Sequence, residues 1–253
     1  MLPGRLAGRI RGLAADAGVV SYRRPFAVTP EAWDRAYANG ELDFYADVDE
    51  LPRYMLLFGY LRALGGRCAL LDVGCGIGLL RSRLDGLPFS RYVGVDLSSA
   101  AIGRAARLAD ERTTFLVGEL PPAELGRFDV AVLSELLYYA DDPGALLDRV
   151  AARLVSGGHV LTSIWRHPGD RALQALLDDR FERVAAAELR SRTRRGRRWR
   201  VSWHQLRGGA PWLAPVGETM FPPRTPFFCF RCVGDPPGSP TPPPHAHRPE
   251  VGP

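Results

Sequence analysis

The chain reads as an α/β protein with a doubly wound, mostly parallel sheet of seven strands that ends in an antiparallel β-hairpin. Three observations predict this. Short apolar runs alternate with helical stretches between residues 68 and 177. The first run leads directly into a glycine-rich turn, Gly74-Cys75-Gly76-Ile77-Gly78. The alternation then breaks at residues 183–206, where apolar and polar residues alternate on both sides of Arg194-Arg195-Gly196, as in a hairpin.

Taken in order, residues 1–24 are rich in Arg, Ala and Gly and are expected to form a flexible arm, with residues 25–66 a helical cap. Within the cap, Pro30 and Glu31 open a helix with Thr29 as its N-cap. Leu51, Tyr54, Leu57, Phe58, Leu61 and Leu64 give a second helix an apolar face, and Gly65-Gly66 stops it. Cys68–Val73 is the first buried strand, and its glycine turn is expected to open a helix over Leu79–Asp85. Tyr92–Asp96 is the second strand, followed by a helix over Ser99–Ala109 with Ser98 or Ser99 as cap. Thr114–Val117 and Phe128–Leu133 are the third and fourth strands. A helix over Gly144–Leu154 is expected to end at Gly157-Gly158, ahead of a fifth strand at His159–Ile164. A last helix covers Asp170–Leu177, and the hairpin Arg183–Arg192 and Arg198–Leu206 closes the domain of residues 67–206. Thirteen of the 22 prolines fall in the last 47 residues, so residues 207–253 are expected to be a largely disordered tail.

Composition narrows the chemistry. Of 253 residues, 33 are basic, all of them Arg. Without lysine there is no P-loop lysine and no Schiff-base or pyridoxal-phosphate anchor. The net charge of +5 is local: residues 181–205 hold eight Arg and two Glu, and the remainder is near neutral. No apolar run is long enough for a membrane helix, and the N-terminal residues lack a secretory apolar core.

The glycine turn carries the sharpest signal. In the G-x-G-x-x-G dinucleotide fingerprint the third glycine would fall at Leu79; here it falls one position early, at Gly78. An acid, Asp72, stands two residues before Gly74. Another, Asp96, ends the second strand 18 residues after Gly78, and Glu119 follows the third. This set resembles the class I S-adenosylmethionine-dependent methyltransferases, which share a Rossmann-like fold, an acid before G-x-G-x-G and a terminal hairpin. The strand Phe128–Leu133 and the Leu154-Val155-Ser156-Gly157-Gly158 turn fit the same family. The resemblance implies S-adenosylmethionine as cofactor, with Asp72 suited to its ammonium, Asp96 to its ribose hydroxyls and Glu119 near its adenine amino group. The family usually has Asp at the last position. Gly74, Cys75, Gly76, Gly78, Leu97, Leu120 and Ser134 complete the implied cofactor set.

The acceptor is expected beyond the carboxyl ends of the strands. Ser134-Glu135-Leu136-Leu137-Tyr138-Tyr139, with Trp33-Asp34-Arg35-Ala36-Tyr37, resembles a small-molecule branch related to nodulation-type N-methyltransferases. The Asp/Asn-Pro-Pro-Tyr signature of many nucleic-acid and protein-amide enzymes is missing. Glu135 is the first candidate for holding the acceptor or taking its proton, the alternative being a cofactor-side or helix-starting carboxylate. His167 is the second, the alternative being a loop histidine. Trp33, Tyr37, Tyr45, Tyr138 and Tyr139 are candidates for an aromatic lid, and Tyr54 for helix packing. Cys229-Phe230-Arg231-Cys232 has no second ligand pair, so no metal site is expected. The Arg-rich hairpin reads first as a solvated turn, second as an anion-binding surface, and last as an RNA contact. The expected protein is a cytoplasmic monomer or homodimer that methylates O or N of a small molecule, a sugar or secondary metabolite among the candidates. An RNA methyltransferase and a nicotinamide-dependent oxidoreductase are the alternatives.

Overall fold

A computed structural model describes residues 28–191 and 197–208. The N-terminal arm, the hairpin turn at Arg194–Gly196, the tail beyond residue 208, the Cys229–Cys232 pair, His245 and His247 lie outside the described residues.

The apolar runs form β1 (Cys68–Val73), β2 (Phe89–Asp96), β3 (Thr113–Val117), β4 (Phe128–Ser134) and β5 (Leu154–Trp165), and the hairpin gives β6 (Phe181–Arg190) and β7 (Arg198–Leu206). They make one sheet in the order β3-β2-β1-β4-β5-β7-β6. Pairing is parallel from β3 to β5 and antiparallel where β7 joins β5 and β6. The alternation of side chains along each strand feeds two apolar layers. Leu71, Val73, Val93, Val95, Ala131 and Leu133 face one layer; Leu70, Tyr92, Val130 and Val132 face the other.

The helices are α1 (Pro30–Ala38), α2 (Leu51–Leu64), α3 (Ser99–Ala105), α4 (Pro143–Ala151) and α5 (Asp170–Arg180). Their ends follow local chemistry. Thr29, Ser98 and Asp142 accept N–H groups of the first turns of α1, α3 and α4, and Gly65 ends α2 at φ +66°. Tyr54, Leu57, Leu61 and Leu64 seat α2 in the second layer. At about 1.5–3 kcal/mol for each large apolar side chain buried, this docking outweighs the several kcal/mol of desolvating one charge on the same helix, Arg53.

Three local expectations need correction. Leu79–Asp85 forms turns and one 3-10 turn, Arg81–Arg83, rather than a helix. The stretch is bounded by Gly78 and Gly86, both at left-handed φ (78° and 85°), and the Arg83 and Leu84 N–H groups bond three residues back, to the Leu80 and Arg81 carbonyls, which is the 3-10 pattern. The chain after residue 98 is α-helical only to Ala105 and tightens into a 3-10 turn at Ala106–Leu108. Gly157-Gly158 does not terminate α4, which ends at Ala151; both glycines lie inside β5. Gly157 has φ +72° and the β4–β5 register slips between Phe128 and Val130, so the pair forms an irregularity in the strand.

Candidate functional site

The strand order reverses between β1 and β4, and the carboxyl ends of parallel strands at such a reversal are where α/β sheets leave a crevice. A cavity of about 320 Å³ lies here. The glycine turn, Asp96 and the β4 end Ser134-Glu135 line it, and α1, α2 and the 3-10 turn Asp43–Ala46 between them cover it with Trp33 and Tyr37, Arg53, and Tyr45.

The turn is shaped by backbone that other residues would resist. Gly74, Gly76 and Gly78 have φ of 71°, 54° and 78°. A Cβ on Gly76 would lie 2.6 Å from the Tyr37 hydroxyl, so α1 rests directly on the turn. The Gly76 N–H donates to Asp96 Oδ2 and the Ser98 N–H to Oδ1, both at 2.9 Å. These bonds hold the Asp96 carboxylate between the turn and the start of α3. Asp34 on α1 ties the cap down. It accepts the Ser98 and Ser99 hydroxyls at 2.6 and 3.0 Å and the Ala100 N–H at 3.0 Å.

Asp72 is buried at the end of β1, where Tyr92 donates its hydroxyl to Oδ2 at 2.5 Å. Burial pushes its carboxyl up to about 7, against the lowering effect of the Tyr92 hydrogen bond. Burial also raises Asp96 and puts the Cys75 thiol well above its ordinary range. Glu119 is exposed and ion-paired with Arg149 at 2.7 Å on the cavity wall.

Glu135 is the one non-glycine residue among those described with left-handed φ, +57°. That conformation costs about 1–2 kcal/mol and is held by its own N–H, which donates to Ser163 O at 2.8 Å. The Ser163 hydroxyl donates to Glu135 Oε1 at 2.8 Å and the Tyr138 hydroxyl to Oε2 at 2.7 Å. Burial raises the Glu135 carboxyl, while Arg53 and the two hydroxyls work in the other direction.

Of the residues singled out from sequence, Asp72, Gly74, Cys75, Gly76, Asp96, Leu97, Glu119, Ser134, Glu135, Trp33, Tyr37, Tyr45 and Tyr139 all line this cavity. Four others stand elsewhere. Gly78 gives the turn its close approach to Ala105, Leu108 and Phe115, and half-buried Leu120 packs into the first apolar layer. Tyr138 is behind the cavity wall, committed to Glu135. His167 is buried outside the cavity; its Nδ1 accepts the Gly169 N–H at 3.1 Å and its ring meets Tyr138 edge-on, so it braces the loop before α5. Tyr54 packs in the second layer and also lines the cavity.

Sequence reasoning missed Arg53, which is 2% exposed. Its Nε donates to Glu50 at 2.7 Å, Nη1 to the Ser134 hydroxyl at 2.6 Å and Nη2 to the Tyr54 hydroxyl at 3.0 Å. A signal was there: Arg53 falls on the same helical stripe as Leu57, Leu61 and Leu64, where a charge has no reason to be unless it is partnered.

The residues present suit the cofactor implied by the motif. The turn at residues 74–77 lines the cavity, and two buried carboxylates, Asp72 and Asp96, stand on either side of it. Among the described residues no group of three His, Cys, Asp or Glu could hold a metal, and no helix is long and apolar enough to cross a membrane.

Comparison with known proteins points the same way. A family model described as a methyltransferase domain matches residues 38–210. Ubiquinone biosynthesis O-methyltransferase of Bradyrhizobium diazoefficiens is 36% identical over 109 residues, 41% of this chain and 42% of that protein. An uncharacterized methyltransferase of Mycobacterium bovis is 33% identical over 109 residues, 42% of this chain and 54% of that protein. The matched region thus spans about two-fifths to one-half of the length of these curated relatives. Two solved structures share the fold. The N-methyltransferase NodS from Bradyrhizobium japonicum WM9, in complex with S-adenosylhomocysteine, superposes with a TM-score of 0.59 at 18% identity over 70% of this chain and 98% of that one. Magnesium protoporphyrin IX methyltransferase from Synechocystis PCC 6803 does so with a TM-score of 0.57 at 16% identity, over 70% and 97%.

Proposed function

The chain belongs to the methyltransferase domain family, and from that premise we propose that it transfers a methyl group from S-adenosylmethionine to an oxygen or nitrogen of a small acceptor. The observation that carries this reading is the single cavity shared by the Gly74–Gly76 turn, Asp72 and Asp96 with the carboxylate of Glu135 and the aromatic cap. Bound at the turn, the cofactor supplies an electrophilic methyl on a sulfonium. Asp96 is assigned to the ribose hydroxyls, Asp72 to the ammonium, and Glu119 to the adenine side.

Methyl transfer of this kind is an in-line displacement that consumes positive charge, so the protein's main contribution is alignment and exclusion of water. Trp33, Tyr37, Tyr45 and Tyr139 cover the cavity and serve that end. Glu135 is assigned to the acceptor. An alcohol would lose its proton to the carboxylate, and an amine would have its developing charge matched by it. The two donated hydroxyls, from Ser163 and Tyr138, fix the direction of that carboxylate. A sugar or a secondary metabolite is the acceptor class we favour; the aromatic cover and the buried carboxylate suit a compact polar molecule better than a nucleic-acid strand.

Calorimetric titration with S-adenosylhomocysteine tests the reading. Binding is expected in the wild-type chain, and Asp96→Ala should weaken it about tenfold or more, the worth of a charged hydrogen bond of about 1.5–3 kcal/mol. No heat at millimolar ligand would end the proposal.

A further inference from the structure

Three buried carboxylates line the cavity: Asp72, Asp96 and Glu135. Asp96 and Glu135 have a donor on each oxygen. Asp72 differs. The Tyr92 hydroxyl donates to its Oδ2 at 2.5 Å, and among the described residues no group donates to Oδ1. The sheet explains why Tyr92 reaches it. The parallel register sets Leu70 beside Tyr92 and Asp72 beside Gly94. Tyr92 stands two positions before Gly94 and so faces the same side as Asp72. Because residue 94 has no side chain, Phe115 and Cys75 close in there, 2.7 and 2.9 Å from where a Cβ would stand. The Tyr92 ring is fully buried and meets Phe89 and Phe115 edge-on, with centroids 6.3 and 5.7 Å apart. Packing alone would be served by a phenylalanine. A buried hydroxyl must be repaid by a partner, and here the partner is Asp72.

We infer that Tyr92 is a positioning residue for the amino-acid end of the cofactor: from outside the cavity it anchors one oxygen of Asp72 and leaves the other open to the ligand ammonium. This rests on the assignment of Asp72 given above. The Tyr92 side chain does not line the cavity, so it acts through Asp72. The titratable and charged groups facing Asp72 are Tyr92 and Asp96 from β2, Arg53 and Tyr54 from α2, and Cys75 from the turn. Burial disfavours the Asp72 anion and Asp96 adds to that. The Tyr92 bond is the largest influence on the other side, ahead of Arg53. One hydroxyl thereby sets both the direction of the carboxylate and its readiness to carry charge.

The test needs no methyl acceptor. Isotope-edited infrared spectroscopy on aspartate-labelled full-length protein follows protonation of Asp72, identified by loss of its band in Asp72→Asn. In Tyr92→Phe the midpoint should rise by about 1 pH unit. Titration with S-adenosylhomocysteine across pH reads the consequence, as the ratio of variant to wild-type Kd, in which the ligand's own titration cancels. With the wild-type midpoint at about 7, the ratio should be about tenfold in acid and under about twofold by about pH 8.5. A purely structural defect would weaken binding equally at every pH. An unmoved midpoint, or a ratio flat with pH, would overturn the inference. Should Tyr92→Phe fail to fold, a tyrosine fluorinated beside its hydroxyl, placed at position 92, keeps the shape and donates more strongly. It should lower the Asp72 midpoint, and a midpoint that does not fall counts against the inference in the same way. The wild-type titration separates the two claims. Absence of binding sinks the methyltransferase reading, whereas binding with a flat ratio sinks only the role of Tyr92.

Discussion

Gly76→Ala should fail for a reason that a second substitution can relieve. The backbone at residue 76 has φ +54°, where an L side chain costs about 1–2 kcal/mol. The added Cβ would also lie 2.6 Å from the Tyr37 hydroxyl oxygen, while the next ring atom, Cζ, is at 3.5 Å, an ordinary contact. Relief requires α1 to lift, but Asp34 holds it by three hydrogen bonds to Ser98, Ser99 and Ala100. Overpacking of this kind costs about 1–3 kcal/mol. In the wild-type background Gly76→Ala should therefore cost about 2–5 kcal/mol, the sum of strain and overlap. In Tyr37→Phe the hydroxyl is gone, and only the backbone cost of about 1–2 kcal/mol should remain. Urea unfolding of the four proteins of this double-mutant cycle gives the coupling, expected at about 1–3 kcal/mol. Calorimetry with S-adenosylhomocysteine on the same four should show the double variant binding better than Gly76→Ala alone. Equal penalties in both backgrounds, with coupling below about 0.5 kcal/mol, would refute the contact between the cap and the turn.

Two further predictions concern pH. Burial sets the Asp72 carboxyl at about 7, so if its ionised form pairs with the ligand ammonium, affinity for S-adenosylhomocysteine should fall as pH drops below about 7. The limit is about tenfold per pH unit, and Asp72→Asn should flatten that slope; an unchanged slope would remove Asp72 from the ammonium contact. His204 is fully buried, with Nε2 3.6 Å from an Asp178 oxygen, and burial holds it down to about 4, below its ordinary 6.5. Its folded-state value is depressed, so the unfolded chain binds the proton more readily. Stability is therefore complete above about pH 6.5 and is lost as pH falls toward 4, by up to ~3 kcal/mol. Denaturation midpoints of His204→Gln should lose that part of the acid slope, and a wild-type slope in the variant would show that another group carries it.

Much of the fold was legible because its signals are local. Apolar runs of strand length, Thr29 and Ser98 as caps, and Gly65 as a stop act over three or four residues, and the structure places elements on each. The helix expected over Leu79–Asp85 has helical composition, but its Arg83 and Leu84 N–H groups bond three residues back and the stretch closes as a 3-10 turn. His167 stands outside the cavity lining for a different reason. A histidine just past a strand end reads as a catalytic candidate, but the direction of its ring is set by Gly169 and Tyr138, which turn it into the loop.

The strand-and-helix alternation, the glycine turn with acids at both flanks and the lysine-free chemistry can be read along the chain, since each depends on residue identity and short spacing. What those groups experience follows from how distant segments pack. The tertiary fold brings the Arg53 guanidinium, 81 positions away in the chain, to the Ser134 hydroxyl. It holds Glu135 in a strained backbone conformation by a bond to Ser163, and it lays Tyr37 on Gly76. Burial and partnership between distant segments set charge states and close contacts, and those depend on which surfaces the folded chain brings together.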